Sequence, residues 1–245
     1  MHTLQRMLKH LALKVFVVAA LVVGSAAITN GSLDYFDDEQ WPEFVIEKLP
    51  LSSAFVEDLW IHALQIHVVA AALALPGCLL LMSRFVLRRF PRAHRWLGRL
   101  TGIVVVFALV PTGLLMALFA KGGFLGGLGF VVSGVIVGVC MVSGIMSARA
   151  RRFIEHRRQV LHVLAQLSVA VTSRVLIFAF DAFAVDGARA YLIALWLPVI
   201  GSALIVEGLV PRQTTVFDLT RSLHAAFRRR LCLPAAQPRL VGERP

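Results

Sequence analysis

Charge is scarce in this chain: Asp, Glu, Lys and Arg make up only 16% of its 245 residues, against about 25% in a typical soluble domain. Acidic residues are the rarer sign, 14 against 25 basic, which leaves a net charge of +11. Cysteine is nearly absent. Cys78, Cys140 and Cys232 form no CxxC and no pair in a shared loop, which excludes a disulfide scaffold and a zinc framework. Also missing are GxSxG, HExxH and a glycine loop ending in GK[ST], so hydrolase, zinc-protease and phosphate-loop chemistry have no support. What the chain has in excess is apolar character: 58% hydrophobic residues and a mean hydropathy of +0.77. That composition excludes a disordered chain, and the placement of the positive charge excludes a nucleic-acid-binding domain. It implies an integral membrane protein.

A membrane-crossing helix needs about 20 mostly apolar residues to span roughly 30 Å of hydrocarbon. Six stretches fit: Leu11 to Ile28, Leu59 to Met82, Leu100 to Phe119, Leu128 to Met146, Val160 to Ala182 and Tyr191 to Val210. Every Lys and Arg except Lys48, Lys121, Arg174 and Arg189 falls at one end of these stretches. Asp34, Asp37, Asp38, Glu39, Glu43, Glu47, Glu57 and Asp58 gather in the first loop at the other end. By the positive-inside rule the expectation is an all-α bundle of about six transmembrane helices, both termini cytoplasmic, in a bacterial inner membrane. The expected divisions are 1–58, a first helix plus acidic outer loop; 59–210, a five-helix core; and 211–245, a basic cytoplasmic tail drawn to anionic lipid. The first helix has two readings. Gly24-Ser25-Ala26-Ala27 after a short apolar run fits a cleavable signal, but the run reaches about 18 residues if Lys14 snorkels, which favours a retained anchor.

Ionisable groups inside hydrocarbon are costly, so they direct the search for function. His67 lies about 12 Å into the second span. Arg174 sits at a comparable depth in the fifth, with Asp181 seven residues on and returning to the same face. His67, Arg174 and Asp181 would make a polar cluster for a ligand or a proton. The alternative has Arg174 snorkelling to the headgroups and His67 bonded to a backbone carbonyl.

The Arg-rich end carries two echoes of one unit. His94-Arg95-Trp96-Leu97-Gly98-Arg99 opens the third span and His156-Arg157-Arg158-Gln159 opens the fifth, with His162 deeper. Free N–H groups at a helix start and adjacent Arg forks suit an anion such as a lipid phosphate or a haem propionate. A bis-histidine haem b site needs two imidazoles at one depth on facing helices. His94 with His156 or His162 meets that condition, so these three are the candidate metal ligands. His62 and His67 share one helix about 140° apart and cannot clamp one iron. The competing reading is a topology signal with an interfacial Trp.

Gly134 and Gly138 form a GxxxG step, one turn after Gly129 and Ser133, which permits close helix approach inside the bundle or across a homo-oligomer interface.

From about Leu59 to Asp181 the chain resembles a bacterial family of predicted membrane proteins, domain of unknown function 2306. The resemblance rests on His67, Pro76-Gly77, the His94-to-Arg99 motif, Gly122-Gly123, Gly129-Phe130, His156-Arg157-Arg158 and Ser173-Arg174, in order and spacing. The chain departs from the family pattern at Gln159-Val160, where a Trp-Met pair is usual, at His162-Val163, where Arg-Ser is usual, and at Thr101, where Tyr is usual. The resemblance supplies positions and no reaction. Three functional readings follow from the residues. One is a redox protein holding a haem or quinone-like cofactor through His67, His94, Arg95, His156, Arg157, His162 and Arg174. The others are an accessory or sensing protein and a small-solute transporter.

Overall fold

A computed structural model of the chain describes residues 2–37, 41, 43–49, 51 and 53–209. The basic tail at 211–245, with Cys232, lies outside the described residues, as do the side chains of Arg6, Lys9 and Lys14. The fold is all-α. Helix α1 (His2–Gly31) leads through a short 3-10 turn (Leu33–Phe36) and α2 (Glu43–Ile46) into α3 (Ala54–Met82). Then come α4 (Arg84–Arg89), α5 (Pro91–Val104), a π turn (Val105–Leu109), α6 (Val110–Ala117), α7 (Gly123–Arg149), α8 (Phe153–Ala182) and α9 (Gly187–Leu209). Helices α5 and α6 with the π turn form one continuous span, so six helical runs among the described residues are long and apolar enough to cross a membrane.

Helices are the required answer for these sequences, because a peptide group facing lipid has no water to bond and must be satisfied within its own segment. Each expected span lies within such a helix over its described residues, apart from Leu118 and Phe119 at the end of the third, and α1, α5, α7 and α8 run further at the Arg-rich end. The fifth begins at Phe153 rather than Val160, because polar residues that reach past the apolar core still complete the helix. Local chemistry sets several ends. Ser53 Oγ accepts the Val56 N–H at the start of α3, and Pro91, whose missing N–H costs nothing in a first turn, opens α5. Gly122 takes a left-handed φ of 85° in the turn into α7, where a Cβ would also meet Tyr191 and Leu192.

The central core joins Ala70, Ala74 and Cys78 of α3, Val105 and Leu109 of the π turn, Val137 and Met141 of α7, and Val163 of α8. Helix α1 docks through Leu21 on Leu75 and Val171. The first loop folds over the opposite end: Val45, Trp60 and Leu64 are buried there with Tyr35, Trp41 and Phe119 around them. The GxxxG step is used within the chain. A Cβ at Gly134 would sit 3.2 Å from Leu114 and one at Gly138 would sit 3.5 Å from Val110, both on α6. Phe107, Leu118 and Phe178 point outward and are exposed. A bilayer is the solvent that suits such a surface.

The π turn has a cause in sequence. Pro111 has no N–H, and its ring would collide with the carbonyl four residues back in a regular helix. A wider turn just before it, with Val110 N–H bonding Val105 O, relieves that collision.

Candidate functional site

The sequence-derived residues fall into three separate places. At the Arg-rich end, His94 lies in the first turn of α5 and His156 in the first turn of α8. His156 Nδ1 donates to the Gly144 carbonyl of α7 at 2.9 Å. That bond fixes the proton on Nδ1 and leaves the Nε2 lone pair available, the arrangement that orients histidines in metal sites. A Cβ at Gly144 would stand 3.3 Å from Gln159 Cβ, so the glycine lets the start of α8 come close enough for the bond. His94 lies within electrostatic reach of His156. Its Nδ1 is buried without a hydrogen-bond partner among the described residues. Leaving such an atom unpaired costs about 1–3 kcal/mol. Arg95 and Arg157 are exposed and make no ion pair among the described residues. The Arg99 guanidinium lies over the Trp96 ring, 5.1 Å from its centre.

His162 is not part of that pair. Six residues beyond His156 it faces another way, and its Nε2 bonds Glu207 Oε1 at 3.0 Å. Here the structure assembles a site that the sequence reading missed. Arg158, His162 and Gln166 recur every four residues on α8 and are 6%, 7% and 3% exposed. Arg158 forms an ion pair with Glu207 of α9. Gln166 donates to the Val199 carbonyl at 3.0 Å and to Ser202 Oγ at 3.1 Å, and its Oε1 accepts from Ser133 Oγ of α7 at 2.9 Å. Cys140 of α7 lies within electrostatic reach of both Arg158 and Glu207. The polar row starts about 8 Å along α8 and ends about 20 Å along it, near the middle of the bundle. It holds one fixed cation, one carboxylate and one imidazole, continued by an amide and two hydroxyls.

The family model described as "Predicted membrane protein (DUF2306)" matches residues 64–210. The chain belongs to this family. No curated protein and no solved structure matches significantly. The DUF2306 region runs past Asp181, where the motif resemblance stops, and takes in α9 with Ser202 and Glu207. All of α1 and the whole acidic loop lie before it.

The third place within the DUF2306 region is His67. Its Nδ1 donates to the Leu109 carbonyl at 3.2 Å and lies 3.1 Å from Thr112 Oγ1, whose hydroxyl in turn donates to the Ala108 carbonyl at 2.6 Å. His67 thus ties α3 to the π turn, and its ring rests on Gly113, where a Cβ would come within 2.9 Å of Cε1. Arg174 is elsewhere. It is exposed and its guanidinium turns back to the Ala170 carbonyl of its own helix at 2.9 Å. No hydrogen bond or ion pair joins it to Asp181 or His67. Seven residues return Asp181 to the same face but about 10 Å further along, beyond the reach of a direct pair. The expected His67–Arg174–Asp181 cluster therefore does not form. Among the described residues no group of three or more His, Cys, Asp or Glu side chains is placed to hold a metal ion.

Proposed function

We propose that this protein is a membrane redox protein that holds a haem b or quinone-like cofactor at the Arg-rich end of its bundle. In this reading that end and both termini face the cytoplasm of a bacterial inner membrane. The observation that carries it is the unequal state of two neighbouring histidines. Among the described residues, His156 is oriented by the Gly144 carbonyl with Nε2 free, while His94 keeps a buried nitrogen with no partner. The His156 Nε2 lone pair would ligate an iron, the His94 ring would ligate the same iron or donate an N–H to a quinone carbonyl, and Arg95 and Arg157 would hold propionates or other anionic groups. A bound haem would supply one-electron chemistry; the chain's own contribution is orientation, charge and exclusion of water. The test is the visible spectrum of the purified protein, oxidised and dithionite-reduced, with a haem assay and a quinone extraction. A stoichiometric Soret band that shifts on reduction, or one bound quinone, is expected, and either is lost in H94Q and H156Q, which leave the loop charge unchanged. A colourless protein that releases no quinone refutes the reading.

A second reading, a small-solute or proton transporter, is favoured by the Arg158–His162–Glu207 row. Ionisable groups buried inside a bundle mark ion and proton pathways by default. Reconstituted vesicles under a pH gradient test it: passage that E207Q and H162Q abolish supports it, and vesicles as tight as protein-free ones reject it.

A further inference from the structure

Helix α4 is tied at both ends to membrane spans, since α3 stops at Met82 and α5 begins at Pro91. Its six residues therefore stay at the bilayer surface. Arg84, Arg88 and Arg89 line, with Phe85, an open groove of about 370 Å³. None of the three guanidiniums has an ion-pair partner among the described residues. The one acidic residue of the Arg-rich turns, Glu155, is already engaged by Arg152 at 3.0 Å. Phe85, Leu87 and Phe90 beside them are 68%, 50% and 51% exposed, and Phe85 meets Phe90 edge to face with ring centres 6.0 Å apart. Exposed aromatic and aliphatic side chains next to unpaired arginines belong at the boundary between acyl chains and headgroups.

We propose that this groove binds the phosphate of one anionic phospholipid, held by the forks of Arg84, Arg88 and Arg89 with Phe85 and Phe90 along its acyl chains. Charge complementarity selects the headgroup, because guanidinium forks match phosphate oxygens two at a time. The position of α4 between two spans selects a lipid over a soluble anion. The site is independent of the cofactor reading.

Native mass spectrometry of the full chain tests it, with the protein released from phosphatidylcholine nanodiscs with and without a minor fraction of phosphatidylglycerol. Wild type is expected to retain a phosphatidylglycerol adduct. R84Q/R88Q/R89Q is expected to lower its occupancy by about tenfold, a change of 1.4 kcal/mol. R149Q/R151Q/R152Q removes the same charge from the other Arg-rich turn and is expected to keep the adduct. R88Q alone, and R88K, which keeps the charge without the fork, serve should the triple variant fail to fold; both are expected to weaken retention. Equal loss in the two triple variants, or unchanged retention in R88Q, overturns the site. Displacement of the lipid by inorganic phosphate at modest concentration assigns the groove to a free anion and overturns it too.

Discussion

Removing either partner of the Arg158–Glu207 pair breaks a buried ion pair, and the size of that loss follows from their burial. The Arg158 side chain is 8% exposed and that of Glu207 is 24% exposed. Breaking a buried pair typically costs about 3–5 kcal/mol, whereas replacing both partners by apolar groups of similar volume is often neutral. Since Glu207 keeps some access to solvent, R158M and E207M are each expected to cost about 3 kcal/mol, at the low end of that range. The double variant R158M/E207M still deprives His162 of its acceptor, which costs about 1–2 kcal/mol. It should therefore be more stable than either single variant. The assay is unfolding of the purified protein by SDS in mixed micelles, followed by circular dichroism, with all four proteins in one cycle. If each single change costs less than about 0.5 kcal/mol, or if the two costs simply add, the pair is not the buried, mutually compensating unit described above.

Other changes test the remaining geometry. G113A drives a methyl into the His67 ring and is expected to lower stability by about 1–3 kcal/mol, with most of that recovered in H67A/G113A; a thermal unfolding series reads both. Q166L leaves the Ser133 and Ser202 hydroxyls without their shared partner and is expected to cost about 1–3 kcal/mol by the same SDS titration. R174L, in contrast, removes an exposed side chain that, among the described residues, hydrogen-bonds only its own helix. Stability should stay within about 0.5 kcal/mol of wild type, and a loss several times larger would mean that Arg174 is held in the interior after all.

The spans were legible because hydrocarbon thickness imposes a length and a composition that few other segments share. Even so, the polar helix starts at Pro91 and Phe153 were not, since hydropathy stops counting where charge begins. The histidine pair at the Arg-rich end was legible from its repeated His-Arg pattern. The Glu207 site was not. Glu207 is 45 residues from His162 in sequence, and nothing local marks it as that residue's partner. Arg158 was hidden differently, by sequence neighbours that are loop-facing arginines, although its four-residue step to His162 and Gln166 already placed all three on one helical stripe. His67 and Arg174 failed in a third way. Equal depth along two helices says nothing about the direction in which each side chain points, and only packing supplies that angle.

The π turn divides one span into two halves with separate phase. It absorbs one more residue than a regular helix of that length, so side chains beyond Leu109 are offset by about 100° from an uninterrupted wheel. On one side of the offset, Thr101 faces Gly77 and Gly102 faces Ile145. On the other, Gly113 faces His67 and Leu114 faces Gly134. Straightening that turn without losing a residue would swing the second set away from its partners, whereas deleting one residue between Val105 and Leu109 would remove the surplus residue together with the wider turn and leave both sets seated. The turn thus takes up a surplus residue of the chain while both ends of the span stay aimed at their neighbours.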